Sequence, residues 1–147
     1  MRKIYFVLMI WIFGTSALLA QVPDHEAQIL QLCIDLPEIQ DFYPQFDDES
    51  KAAVYIMQYP IAISTDLPLQ KFNKRPVYMD RHEIYDNNVD AYFLFKQIDV
   101  GSQNAFVEYT MYYDYNSEDQ KILNIGLYFQ KSASGWEVLN VNLANKQ

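Results

Sequence analysis

Between Asp90 and Leu143 four strand-like runs follow one another with gaps of only a few residues. That spacing leaves an antiparallel meander as the arrangement the chain must be built around. The first run, Asp90 to Val100, ends at Gly101-Ser102-Gln103, which suits a short hairpin, and the second continues from Asn104 to Tyr115. In the second run Ala105, Val107, Tyr109, Met111, Tyr113 and Tyr115 alternate with Phe106, Glu108, Thr110, Tyr112 and Asp114. Successive side chains of a strand point to opposite faces, so one face is apolar and aromatic and the other is mixed. Asn116 to Gln120 turns the chain into a third run, where Leu123, Ile125, Leu127 and Phe129 alternate with Asn124, Gly126, Tyr128 and Gln130. After the turn Ser132 to Gly135, the last run puts Trp136 and Val138 on one parity and Leu139, Val141 and Leu143 on the other. A bulge near Val138 and Leu139 brings both sets toward apolar surface.

A continuous apolar sheet face has to be covered, and the earlier part of the chain supplies the cover. Asp24 is a suitable N-cap for a helix with Ile29, Leu32, Cys33 and Leu36 at helical spacing. Pro37 ends or restarts that helix, and Pro37 to Tyr43 has room for another short turn before Pro44. Asp47 to Ser50 reads as a solvated acidic turn, because the glycine and regular oxygen spacing of a calcium loop are missing. The run from Ala52 to Ile63 has strand chemistry in Tyr55, Ile56, Tyr59, Ile61 and Ile63, while Pro60 places it at a sheet edge. Val77 to Met79 predicts a short strand, and Asp80 caps a brief helix that stops at Asn87-Asn88. The fold class expected is α+β, an N-terminal helix packed on a curved, mainly antiparallel sheet that ends in a four-strand meander.

The chain opens with Met1-Arg2-Lys3, an apolar run from Ile4 to Phe13, and then Gly14 to Ala20. This is the pattern of a secretory signal peptide over residues 1–20, cut after Ala20 or Ala17, and the run is too interrupted for a membrane anchor. The expected mature chain, residues 21–147, is one domain of 127 residues. Removing Arg2 and Lys3 leaves nine basic residues against nineteen acids, a formal charge of −10. Such a surface repels nucleic acid and anionic lipid. Cys33 is the only cysteine, so no internal disulfide forms and the fold rests on its core. The chain also has no Asn-x-Ser/Thr site. The expected location is therefore periplasmic or extracellular, in or around a bacterial envelope.

Motifs that carry chemistry are sparse. No glycine-rich nucleotide loop or nucleophile elbow is present, and no metal-ligand spacing or cofactor motif is found. Cys33 lies in the apolar helix stripe, where a thiol behaves as a small hydrophobe with a raised pKa. Asp80, His82 and Glu83 form the nearest thing to an acid-base or metal group, but His82 and Glu83 are adjacent and diverge by about 100° on a helix. His25-Glu26 has the same defect. Lys71, Lys74 and Arg75 form the one cationic cluster of the mature chain, a balancing surface patch or an anion contact.

A helix, one or two irregular strands, a small helix and four long strands closing on Gly135-Trp136-Glu137-Val138 resemble the cystatin-like or nuclear-transport-factor-like α+β roll of small exported bacterial proteins. The resemblance is architectural and spans most of residues 24–143. It implies a sheet curled around the first helix with a pocket at one end, lined by Tyr109, Met111, Tyr113, Leu127 and Phe129 with Trp136 near the rim. The alternative is that these are core residues. Tyr92, Tyr112 and Tyr128 on the other face offer a surface for a partner or a homodimer through the sheet, or ordinary cross-strand pairs. Rolls of this kind serve as binders, enzymes and interaction modules. The leading reading is a non-enzymatic binding protein for a small apolar or aromatic molecule or a protein partner. The alternative is a small lyase or isomerase using an acid and a Tyr in the cone, with Asp114 beside Tyr113, or His82, as first candidates. The parity of the second run sends Asp114 and Tyr113 to opposite faces. A third reading, an inhibitor-like module acting through a hairpin tip, is poorly served by the acidic Asn116 to Gln120.

Overall fold

The computed structural model describes residues 24–42, 53–118 and 120–146. The leader segment, Pro44, the acidic turn at 47–50 and Ala52 lie outside the described residues. Asp24 caps helix α1 (His25–Ile34), its side chain accepting from the amide of Ala27 at 3.2 Å. The helix buries Ala27, Ile29, Leu30, Cys33 and Ile34. Its buried face thus takes in Leu30 and Ile34, and Leu32 is left half-buried on the flank. Pro37 has no amide hydrogen to close another turn, so the chain continues as a 3-10 helix over Pro37–Phe42.

The end of α1 is capped from the sheet. The carbonyl of Cys33 has no partner at position 37, where a longer helix would supply an N–H, and the Tyr109 hydroxyl donates to it instead at 2.9 Å. The Gln40 amide donates to the carbonyl of Leu36 at 2.7 Å.

The sheet contains β1 (Tyr55–Met57), β2 (Val77–Met79), β3 (Tyr92–Val100), β4 (Asn104–Tyr113), β5 (Lys121–Ser132) and β6 (Gly135–Lys146). A second helix, α2 (Arg81–Asp86), lies between β2 and β3 in sequence. The strands stand in the order β2-β1-β3-β4-β5-β6. β3 to β6 form the antiparallel meander. β1 is parallel to both of its neighbours, which makes the sheet mixed and open. This corrects the edge position expected for the run at 52–63. Pro60 lies three residues beyond the end of β1, after a cis Tyr59–Pro60 bond, so it takes no ladder position and leaves Tyr55–Met57 free to pair on both sides.

Two bulges keep apolar residues on one face. In β6 the register moves from Tyr128↔Asn140 to Phe129↔Val138, so Leu139 is the extra residue and stands 66% exposed. The expected bulge is present and brings Trp136, Val138 and Val141 to the core face, whereas Leu139 and Leu143, expected with them, stay exposed. In β3 the shift falls between Phe95 and Gln97. With Lys96 set aside, Phe93, Phe95 and Ile98 face the core and Gln97 and Asp99 do not.

The main core lies between α1 with the 3-10 helix and one sheet face, and it includes Ile56, Phe93, Val107, Tyr109, Leu127 and Phe129. α2 covers the opposite face only at its β1–β3 end, where Ile84 packs with Met57, Val89 and Tyr92. No described helix is long and apolar enough to cross a membrane.

Candidate functional site

The six residues expected to line a pocket fall on the face beneath α1. Tyr109, Met111, Tyr113, Leu127 and Phe129 are buried, none more than 7% exposed. Tyr109 stacks on Phe95 at 5.2 Å, and Tyr113 meets Phe42 at 5.1 Å. Their contacts are those of a packed core. Trp136 is buried to the same extent, 6% exposed, and the edge left uncovered borders open space. Its ring forms one side of a groove of about 420 Å³ together with Ala27, Gln28 and Leu32 of α1, Pro68, and Ser134 and Gly135 of the β5–β6 turn.

Each wall of that groove is fixed by a local cause. The α1 wall is the flank left half-buried when Leu30 and Ile34 turned inward. The turn wall depends on Gly135, whose φ of 131° is a conformation that a side chain resists. Ser132 and Ser134 hold the turn by donating to the Glu137 carboxylate at 2.6 and 2.9 Å, and these two bonds lower the pKa of Glu137. The third wall is tied to α1 through Gln31, whose side chain donates to the carbonyl of Gln70 at 2.7 Å and accepts from its amide at 3.0 Å. Lys71 adds an ion pair to Asp35 at 2.7 Å. Leu67 and Leu69 anchor the same segment in the core.

Trp136 itself is oriented by His25. The indole N–H donates to His25 Nδ1 at 3.1 Å, the rings meet edge to face at 5.8 Å, and Lys131 Nζ stands 3.1 Å from His25 Nε2. Indole edge, leucine and proline give the groove an apolar lining. Gln28 adds a half-buried side-chain amide to the same wall.

The other candidates are dispersed. Asp80 and Glu83 are both engaged in a capping box that starts α2: the Glu83 amide donates to Asp80 at 2.9 Å and the Asp80 amide to Glu83 at 2.8 Å. His82 is exposed on that helix. Asp114 sits at a φ of 51° in an ion pair of 2.7 Å with Lys121, while Tyr113 points into the core, so the two diverge as parity requires. Cys33 is wholly buried, and burial pushes its thiol well above the ordinary range. Of the cationic cluster, Lys71 pairs with Asp35 and Arg75 donates to the carbonyl of Thr65 at 2.9 Å. Among the described residues no group of three or more His, Cys, Asp or Glu side chains is placed to hold a metal ion.

Tyr92 and Tyr112 form a stacked cross-strand pair at 4.7 Å with Tyr115 edge-on, and Tyr92 is buried beneath α2. Tyr128 is 49% exposed beside Phe106. The sequence singled out Trp136 but missed the other walls of its groove. Leu32, expected in the buried stripe of α1, is half-buried, and no local signal pointed to Pro68. No protein-family model matches the chain, and no curated protein or solved structure matches it either.

Proposed function

We propose that the protein is an exported, non-enzymatic binding protein whose site is the groove beside Trp136. Its ligand is a small molecule with a flat apolar or aromatic part, seated against Trp136, Leu32 and Pro68 and oriented by the Gln28 amide. The observation that carries this reading is a groove of about 420 Å³, mainly apolar and with a side-chain amide in its wall, a size and lining within the range of small-molecule sites. The reading includes the finer fold expectation, a cystatin-like roll in which the sheet curls around α1 and opens at one end. It also includes export through the segment at 1–20.

The test is native mass spectrometry of residues 21–147 purified from the natural host without denaturation. Wild type is compared with Leu32→Lys, which charges the groove, and Ser134→Phe, which fills it. The expected result is a retained small-molecule mass on the wild type that both variants lose. The urea-unfolding midpoint of each variant reports whether it keeps the native core. A clean apo mass from wild type, or a mass that persists in both variants, would overturn the assignment.

A further inference from the structure

Gly126 stands in the middle of β5, a strand paired on both sides, where a glycine weakens the ladder and contributes no packing. Its backbone does not require glycine, since among the described glycines only Gly135 has a positive φ. Space does not require it either. A Cβ at Gly126 would meet Asn142 Cβ and the Phe106 ring at 3.8 Å, ordinary contact distances. What the missing side chain does provide is the floor of a cleft of about 240 Å³ on the sheet face opposite α1.

The cleft has a consistent chemistry. At one end stands the aromatic cross-strand pair Phe106 and Tyr128, ring centroids 4.7 Å apart and planes tilted by 42°, with Tyr128 the more exposed ring of this aromatic ledge. Glu108 on β4 and Asn142 on β6 are the two register partners of Gly126 and stand on either side of it. Asn124 closes the far end. Its side-chain oxygen accepts from Lys96 at 2.8 Å and from Thr110 at 2.9 Å, so the remaining hydrogen-bonding group is its NH₂. The Asn142 side-chain amide is exposed beside the floor. The Glu108 carboxylate has the approach of Lys96 at 3.7 Å.

We propose that this cleft is a binding site for a neutral sugar ring. An aromatic ledge presents a π face to the C–H groups of one side of a pyranose. The amides and the carboxylate around the floor alternate donors with acceptors, and vicinal hydroxyls, each of which donates and accepts, need that alternation. An anionic ligand would meet Glu108 and a chain of net charge −8. A cation would meet Lys96. A lipid chain would lie against three polar side chains. The site is on the opposite face from the Trp136 groove and does not depend on that reading.

The experiment is an amide chemical-shift titration of the purified protein with methyl glucoside, methyl galactoside, methyl mannoside and N-acetylglucosamine, taken to the millimolar concentrations at which single sugar rings bind. Wild type is compared with Gly126→Ala, Tyr128→Ala and Asn142→Leu. With at least one sugar, the expected shifts are confined to residues around 106–110, 124–128 and 140–144. Gly126→Ala should weaken binding at least tenfold while holding or raising the wild-type urea midpoint, because its Cβ fills the floor without a clash and suits a strand better than glycine. Tyr128→Ala and Asn142→Leu, both at exposed positions, should weaken it comparably. No shift with any of the four sugars would overturn the proposal. So would shifts that survive Gly126→Ala, or shifts that gather instead at the Trp136 groove.

Discussion

Tyr109→Phe isolates one hydrogen bond at the junction of helix and sheet. The ring keeps its place in the mutant, stacked on Phe95 at 5.2 Å and edge-on to Phe93 at 5.8 Å, so the packing contribution is preserved. Only the hydroxyl is lost, and with it the donor to the Cys33 carbonyl at 2.9 Å. Both residues are 0% exposed, and Pro37 at the next helical position has no N–H to offer, so neither water nor backbone takes over. Leaving a buried acceptor unsatisfied costs about 1–3 kcal/mol, and with no cavity added the expected loss is about 2 kcal/mol. For a chain of this size that lowers Tm by roughly 6–10 °C. With a urea m-value of about 1.5–2 kcal/mol/M, it lowers the unfolding midpoint by about 1 M at unchanged slope. Equilibrium unfolding followed by Trp136 emission measures it. A midpoint within about 0.3 M of wild type, equivalent to roughly 0.5 kcal/mol, would refute the view that Tyr109 replaces the missing amide of Pro37.

The same deletion elsewhere has the opposite expectation. The Tyr78 hydroxyl is buried without a hydrogen-bond partner among the described residues, so Tyr78→Phe should leave stability within about 0.5 kcal/mol of wild type or raise it by up to about 1 kcal/mol. A loss larger than about 1 kcal/mol in urea unfolding would contradict the orphan assignment. At alkaline pH, burial raises the Cys33 thiol above its ordinary 9.0, and burial followed by the charges of Tyr115 and Tyr112 raises Tyr92 above 10.0. The unfolded chain therefore releases these protons first. Their stabilisation is complete below pH 9 and is lost as pH climbs toward the folded-state values, at up to about 1.4 kcal/mol per pH unit for each group. Urea midpoints of wild type and Cys33→Ala at pH 8 and 10.5 should show the variant with the shallower decline. Parallel declines would show that Cys33 is not a source of the slope.

Legibility followed periodicity. The alternation from Ala105 to Tyr113 and from Leu123 to Phe129 specified the two central strands and their buried parity, because a one-residue slip would have turned every core residue outward. The caps at Asp24 and Asp80 were readable because a side-chain oxygen before an amphipathic run has a local partner. The mismatch of parity between Trp136 and Val141 announced the β6 bulge. The same signal stood in β3, where Phe93 and Phe95 are odd and Ile98 and Val100 are even, and went unread because Lys96 interrupts the pattern only once. The edge position expected for the run at 52–63 fails because its strand stops at Met57, before Pro60. Strand order is a long-range property, and no local rule places a three-residue strand between β2 and β3. The groove was partly hidden for a related reason. Its walls come from positions 27–32, 68 and 134–136, which are brought together only by the packing of α1 against β6.

The unequal cover of the two sheet faces directs where ligand chemistry can reside. α2 and the tyrosines at 92, 112 and 115 close the β1–β3 end of the outer face, and the 3-10 helix lies over Tyr113 on the inner one. β5 and β6 are long, twelve residues each, while α1 spans only ten and the turn at 132–135 carries the hairpin to the flank of the helix. The hairpin therefore borders both depressions, the groove beside Trp136 and the cleft above Gly126, from opposite sides of one sheet. Each depression is bounded by a glycine of that hairpin, but for different reasons. Gly135 is required by its backbone angle, and Gly126 is required by neither angle nor space. Substitution at Gly135 therefore tests the turn. Substitution at Gly126 tests the cleft without a backbone or steric cost, and this makes it the more discriminating of the two positions.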